Sequence, residues 1–202
     1  MEEYNTLKSY DESAQKYFED TKNGNMQKHY DRFLMLLPNK AYILDFGCGS
    51  GRDSKYFLEH GYEVKAIDGS IELCKLAENY INHPIECMKF EELDEEDTYD
   101  AIWACSSILH VKRENLPDIL KKMIKALKEN GIIYTCFKKG NKTIIKDNKY
   151  YNYLTKEILE DILKEIDTNA EIIDYYESNT CANINRTQTI WGNYLIKKRV
   201  KE

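Results

Sequence analysis

The chain has 202 residues, 42% of them hydrophobic and 32% charged, with a formal net charge of -6. This composition fits a soluble domain with a packed core and excludes an intrinsically disordered polypeptide. No run approaches the ~20 apolar residues that cross a bilayer, and an overall negative field disfavours the phosphate backbone of nucleic acid as a partner.

Residues 1–5 have neither the basic start nor the apolar run of a secretion signal, so a cytoplasmic location is expected. The six cysteines stand singly at 48, 74, 87, 105, 136 and 181, without a C-x-x-C pair. They read as reduced thiols, and neither a disulfide framework nor a metal site is expected. Helical spacing covers 9–19 and 26–37; in the second stretch Tyr30, Phe33, Leu34 and Leu37 share a face and Pro38 ends it. The apolar run 41–44, ending at Asp45, suits a buried parallel strand.

A glycine-rich turn leads into a helix over 53–60, stopped by Gly61. A second strand, 62–67, ends at Asp68-Gly69, and Ser70 can cap the next helix, whose stripe is Ile71, Leu73, Cys74 and Ala77. A third strand is expected at 85–90, a solvated acidic loop at 91–97 and a fourth strand at 99–104. An amphipathic helix over 116–129 carries Pro117 in its first turn and ends at Asn130-Gly131. The fifth strand is 132–137. A polar stretch, 138–152, precedes a helix at 155–166 and two last strands at 171–176 and 189–196. Alternating strands and helices predict an α/β fold, a Rossmann-like open sheet of about seven strands with helices on both faces. The sheet should be mostly parallel, with an antiparallel last strand.

The segment Asp45-Phe46-Gly47-Cys48-Gly49-Ser50-Gly51 joins a strand to a helix, the setting in which glycines allow a sharp turn and close approach of a ligand to the main chain. Asp68 ends the following strand, where a carboxylate can accept hydrogen bonds from both hydroxyls of a ribose. Together they point to an adenosine-containing ligand. A pyrophosphate needs free N–H groups and a helix amino terminus facing negative charge, which Asp45 and Asp53 oppose. A cationic sulfonium favours those carboxylates.

The stretch 43–70, ILDFGCGSGRDSKYFLEHGYEVKAIDGS, resembles the cofactor-binding region of class I S-adenosylmethionine-dependent methyltransferases, especially small-molecule and tellurite-resistance-type members. The likeness continues through 99–104 and 127–132, although Asn130-Gly131 stands where the family commonly has Pro-Gly. The resemblance implies S-adenosylmethionine as cofactor and S-adenosylhomocysteine as product. It also implies that Asp45 and the backbone of Gly47 and Gly49 hold the methionine part, with Cys48 and Gly51 in the same cofactor-binding turn, and that Asp68 binds the ribose, with Gly69 and Ser70 near it. Phe90 and Glu91 would border the adenine, and Ala104 and Cys105 the methionine end. It divides a single domain into an amino-terminal helical cap at 1–40, a cofactor-binding core at 41–137, and a part at 138–202 that carries acceptor-pocket elements.

The fourth strand exits into Cys105-Ser106-Ser107-Ile108, not the D/N-P-P-Y/F pattern of adenine-methylating enzymes. No proline precedes a cysteine, so the nucleophile of cytosine methylation is absent as well. With the net charge, this favours methyl transfer to an O, N or S atom of a small molecule, and makes nucleic acid an unlikely partner. The alternatives are a tRNA-modifying enzyme and a non-catalytic cofactor sensor. His110, just beyond the fourth strand, has the intrinsic pKa of a general base. Tyr17, Tyr151 and Arg186 are the candidate acceptor-binding residues, with Lys138, Lys139, Tyr150 and Trp191 near them in sequence. Tyr10, Tyr17 and Phe18 lie on one helix, which reads equally as a cap over the cofactor and as an ordinary apolar stripe.

Overall fold

A computed structural model describes residues 4–166, 169–179 and 189–200. Arg186 and Cys181 lie outside these described residues. Three short helices open the chain: α1 (Thr6–Glu12), α2 (Ala14–Thr21) and α3 (Gln27–Leu34). The single helix expected at 9–19 is thus two, separated at Ser13, whose N–H bonds back to the Asp11 and Tyr10 carbonyls as the cap of α1. The alternating region follows as β1 (Tyr42–Phe46), α4 (Arg52–Glu59), β2 (Glu63–Asp68), α5 (Ile71–Ile81), β3 (Ile85–Cys87), β4 (Tyr99–Ala104), α6 (Leu116–Ala126) and β5 (Leu127–Lys139). After it come β6 (Lys142–Lys146), β7 (Lys149–Leu154), α7 (Lys156–Glu165), β8 (Ala170–Ser178) and β9 (Trp191–Lys198).

The parallel core has the order β3-β2-β1-β4-β5. On its far side β5 pairs antiparallel with β9, which pairs antiparallel with β8, so the expected reversal at the last strand is present. The sheet has nine strands among the described residues, against about seven expected. The excess is a hairpin, β6–β7, inside the stretch read as polar. Asp147 and Asn148 both adopt positive φ, 52° and 58°, between its strands. Such a pair of residues forms the two-residue turn whose twist matches a hairpin.

Side chains alternate between the faces of the sheet, as the strand period requires. Ile43, Ala101 and Trp103 pack with Phe33 of α3 and Phe57 of α4. Leu44, Phe46, Ile102 and Ala104 pack on the other face with Leu120 and Met123 of α6 and Leu159 of α7. Two boundaries differ from expectation. Helix α6 ends at Ala126, because Leu127 turns extended and begins pairing at Tyr99; Asn130, with φ of 64°, lies in an irregularity of β5 and does not cap the helix. Strand β3 stops at Cys87, and Phe90–Glu92 form a single 3-10 turn, which brings Phe90 onto the ring of Phe46 at 4.5 Å.

Among the described residues, no helix is long and apolar enough to cross a membrane.

Candidate active site

Strands of a parallel sheet deliver their carboxyl ends to one edge, and ligands bind there where the strand order reverses. In this fold that point lies between β1 and β4. A cavity of about 340 Å³ opens there, within the range of small-ligand sites. Its floor includes Gly47 and Gly49 after β1, Asp68 and Gly69 after β2, Phe90 and Glu91 beyond β3, and Cys105, Ser106 and Ser107 after β4. Its cover includes Leu7, Tyr10 and Tyr17 of the amino-terminal helices and His110.

The turn after β1 is held by its own N–H groups. Those of Gly47 and Cys48 both reach the Ile67 carbonyl, at 3.0 and 2.9 Å. The Gly49 N–H donates to Asp68 Oδ2 at 2.8 Å, and the Ser70 N–H donates to Oδ1 at 2.9 Å. Two positions in this turn require glycine. Gly47 has φ of 89°, and a Cβ there would stand 2.5 Å from the Ser107 Cβ. Gly51, at φ of 75°, lets the start of α4 press against α5: a Cβ would meet Ile81 at 2.9 Å and Ala77 at 3.2 Å.

Asp68 is buried, and each of its oxygens takes one backbone donor. A carboxylate offers about four lone-pair positions, so acceptor capacity remains for two hydroxyls from the cavity. Burial raises its carboxyl above the ordinary carboxylate range, opposed by the Ser70 and Gly49 N–H bonds. Ser70 caps α5 by accepting from the Leu73 N–H at 3.2 Å, and its hydroxyl donates to Asp11 of α1 at 2.6 Å.

Asp45 and Asp53 lie beneath this turn, and neither lines the cavity. Asp45 accepts from the Ser54 hydroxyl at 2.6 Å, and burial together with Asp53 pushes its carboxyl well above the usual range. Asp53, in the first turn of α4, accepts from Arg52 Nε at 2.7 Å, Trp103 Nε1 at 2.8 Å and the Tyr30 hydroxyl at 2.5 Å. The first turn of α4 thus carries a buried carboxylate, which opposes a pyrophosphate there, and the Gly47, Cys48 and Gly49 N–H groups are already spent. The site fits a nucleoside whose hydroxyls meet Asp68.

Above the cavity, α1 ties the molecule together. Ser9 Oγ donates to the Asp147 carbonyl at 2.8 Å, and the Tyr150 N–H donates to Thr6 Oγ1 at 3.1 Å, so the β6–β7 hairpin holds the helix in place. Leu7 packs on Gly69, where a Cβ would come within 2.8 Å of it. Tyr10 and His110 meet across the cover, hydroxyl to Nε2, at 2.8 Å. His110 Nδ1 lies 2.7 Å from the Tyr150 carbonyl, which can only accept. Nδ1 therefore carries the proton, and Nε2 is the acceptor for Tyr10. Burial lowers the ring's pKa to about 4, against the pull of the Tyr150 carbonyl, so His110 is neutral near pH 7.

Gly47, Gly49, Asp68, Gly69, Phe90, Glu91, Cys105, His110 and Tyr17, singled out from sequence, all line this one cavity. Asp45, Cys48, Gly51, Ser70 and Ala104 do not line it; they support the turn or the strand ends beneath. Tyr151 stands beside the site, its ring 4.9 Å from that of His110 and beneath Lys138 Nζ at 4.1 Å. Lys139 pairs with Glu177 at 2.7 Å on the surface. Ser106, Ser107, Lys89 and residues 4–7 line the cavity without having been singled out. Ser106 and Ser107 had a legible signal, their place directly after a parallel strand.

This fold and site define a Rossmann-like α/β protein with a cavity at the carboxyl ends of its parallel strands. Residues 43–131 match the family described as Methyltransferase domain. An uncharacterized methyltransferase of Staphylococcus carnosus is 24% identical over 183 residues, covering 77% of this chain and 87% of its own length. A malonyl-[acyl-carrier protein] O-methyltransferase of Salmonella typhimurium is 27% identical over 120 residues, 55% of this chain; the match spans only 45% of that enzyme. In fold, the chain is similar to the 1,6-didemethyltoxoflavin-N1-methyltransferase of Burkholderia thailandensis, solved with its substrate and S-adenosylhomocysteine. The TM-score there is 0.75 at 19% identity, with 96% of this chain and 85% of that one covered. In sequence over residues 43–131, and in fold over nearly the whole chain, this protein is thus similar to methyltransferases.

Proposed function

We propose that this chain is a class I S-adenosylmethionine-dependent methyltransferase that moves the methyl group to an O, N or S atom of a small molecule by in-line displacement. The observation that carries this reading is the cover: α1 and α2 lie over the cavity, the β6–β7 hairpin holds α1, and Tyr10 and His110 bond across it. A site covered in this way favours a compact acceptor over a polynucleotide or a folded protein. The net charge of -6 supports the same choice, and a cytoplasmic location goes with it.

When bound, S-adenosylmethionine supplies an electrophilic methyl on a sulfonium. In this reading Asp68 accepts the ribose hydroxyls, with Gly69 and Ser70 fixing its position, and Phe90 and Glu91 border the adenine. Gly47 and Gly49, with Cys48, Gly51 and Asp45 supporting them, form the wall for the methionine part, continued by Ala104 and Cys105. Tyr10 and Tyr17 exclude water, which keeps hydrolysis from competing and strengthens local electrostatics. Tyr17, Tyr151 and Arg186 are the residues proposed to face the acceptor. The acceptor takes the place of the Tyr10 hydroxyl at His110 Nε2 and gives up its proton there, while Nδ1–H stays on the Tyr150 carbonyl.

Incubation of cell extract with methyl-labelled S-adenosylmethionine and the enzyme should place label in the small-metabolite fraction. Label confined to RNA or to protein would refute the proposed acceptor. With the labelled acceptor in hand, His110→Ala should lower turnover by about a hundredfold, the scale of general-base catalysis. Its affinity for S-adenosylhomocysteine should stay close to that of the unsubstituted enzyme. Because the ring takes up a proton only near pH 4, turnover at saturating cofactor should hold as pH falls from neutrality to about 5. A loss centred near 6.5, the ordinary histidine value, would contradict the buried, neutral base.

A further inference from the structure

Two cysteines flank the end of β2. Cys74 lies in the first turn of α5 and is buried, whereas Cys87 closes β3 and is exposed. The other cysteines among the described residues are buried or half-buried. The Cys74 thiol donates to the Asp68 carbonyl at 3.3 Å, and Cys87 is the register partner of Asp68 in the parallel pairing of β2 with β3. The Met88 N–H, next along the chain, donates to the same carbonyl at 3.0 Å. The two thiols therefore meet beside Asp68, and a side-chain hydrogen bond joins them. Burial, together with the nearby Asp68 and Cys87, pushes the Cys74 thiol up, so it keeps its proton near neutral pH. Methyl transfer as proposed above uses neither sulfur.

We propose that Cys74 and Cys87 are a redox-active pair that hydrogen peroxide closes into a disulfide, loosening the nucleoside end of the cavity. The exposed Cys87 sulfur, as thiolate, attacks one oxygen of the peroxide. The S–O bond forms, the O–O bond breaks, and the other oxygen leaves as hydroxide and is protonated to water. Cys87 is then a sulfenic acid, oxidised by the two electrons that the peroxide has gained. The Cys74 sulfur gives up its proton and attacks the Cys87 sulfur; the S–S bond forms, the S–O bond breaks, and hydroxide leaves with that proton as a second water. A small dithiol restores both thiols by exchange, its own sulfurs ending as a disulfide. In a reducing compartment such a bond is transient, and serves sensing instead of architecture. Closing it removes the thiol donor from the Asp68 carbonyl and ties the first turn of α5 to β3. That helix starts at Ser70, whose N–H holds Asp68 Oδ1, so the change reaches the carboxylate. The effect on binding rests on the proposed placement of the ribose at Asp68; the cross-link does not.

Peptide mapping of the full chain by mass spectrometry, before and after hydrogen peroxide, is paired with calorimetry against S-adenosylhomocysteine. Peroxide should yield a peptide joining Cys74 to Cys87, lighter by the two lost hydrogens. Binding should weaken by about tenfold, the scale of one hydrogen bond, and dithiothreitol should restore both thiols and affinity. Cys87→Ser should bind as the reduced unsubstituted protein does and keep that affinity through peroxide treatment. A link from Cys74 to Cys48, or oxidation of Cys87 to sulfinic acid with no link, would overturn the pair. A complete link between Cys74 and Cys87 with unchanged affinity would overturn its effect on the site. If the link forms but the reduced protein does not bind S-adenosylhomocysteine, the ribose placement falls and the pair stands.

Discussion

Asp68→Ala is expected to weaken binding of S-adenosylhomocysteine by about a hundredfold, from the loss of two charge-assisted hydrogen bonds worth about 1.5 kcal/mol each. The side chain is fixed before any ligand arrives, because the Gly49 and Ser70 N–H groups already occupy one position on each oxygen. Alanine also orphans those two donors, so part of the loss would come from a loosened turn. Asp68→Asn distinguishes the two effects: it keeps an acceptor oxygen and the shape, and should show a smaller loss. pH gives a second readout. Burial holds the Asp68 carboxyl above the ordinary range, so it takes up a proton earlier than an exposed carboxylate as pH falls. Only the ionised form accepts from both hydroxyls, so affinity should fall as the solution is acidified, and Asp68→Asn should flatten that dependence. Unchanged affinity in both variants would rule out Asp68 as the ribose ligand.

The largest effect on stability is expected at Asp53, which never reaches the cavity. It holds Arg52, whose side chain is only 14% exposed, together with the Trp103 indole and the Tyr30 hydroxyl. Burial alone would raise its carboxyl, but Arg52 and these hydrogen bonds bring it below the usual carboxylate range. Asp53→Ala would leave a buried cation and two buried donors without their acceptor. Removing one partner of such a pair costs about 3–5 kcal/mol, or roughly 6–20 °C in Tm for a chain of this size. The sign of the pH dependence follows from the lowered pKa: this stabilisation is complete above the pKa of an unfolded aspartate and fades as pH falls through the depressed folded value. Thermal unfolding of Asp53→Ala at neutral pH checks it, and a midpoint within about 2 °C of the unsubstituted protein would contradict the account. The same measurement keeps this effect apart from ligand binding, because Asp53 touches the site only through the base of α4.

Much of this was readable before the structure. The glycine turn and Asp68 could be paired from sequence, since a strand–turn–helix context gives glycines a specific use, and both line one cavity in the structure. The mostly parallel sheet followed from the alternation of strand and helix periodicities. The β6–β7 hairpin was not seen because Thr143, Ile144 and Ile145 sit among lysines, which hides a strand whose polar side faces water. Its turn, Asp147-Asn148, was the available signal. The cover was only half legible. Tyr10 and Tyr17 marked a helix that could fold over the cofactor, but the bond from Tyr10 to His110 joins residues 100 positions apart. No local pattern encodes a contact of that range. Asp45 was read from its place in sequence as a carboxylate near the ligand; in the structure it is buried and accepts from the Ser54 hydroxyl.

The most direct test is titration of the unsubstituted protein with S-adenosylhomocysteine and, separately, with NAD. Saturable one-to-one binding of S-adenosylhomocysteine and no detectable binding of NAD are expected, because the Gly47, Cys48 and Gly49 N–H groups are spent within the protein and Asp53 puts a buried carboxylate in the first turn of α4. Binding of NAD with equal or greater affinity, or no binding of S-adenosylhomocysteine, would contradict the account.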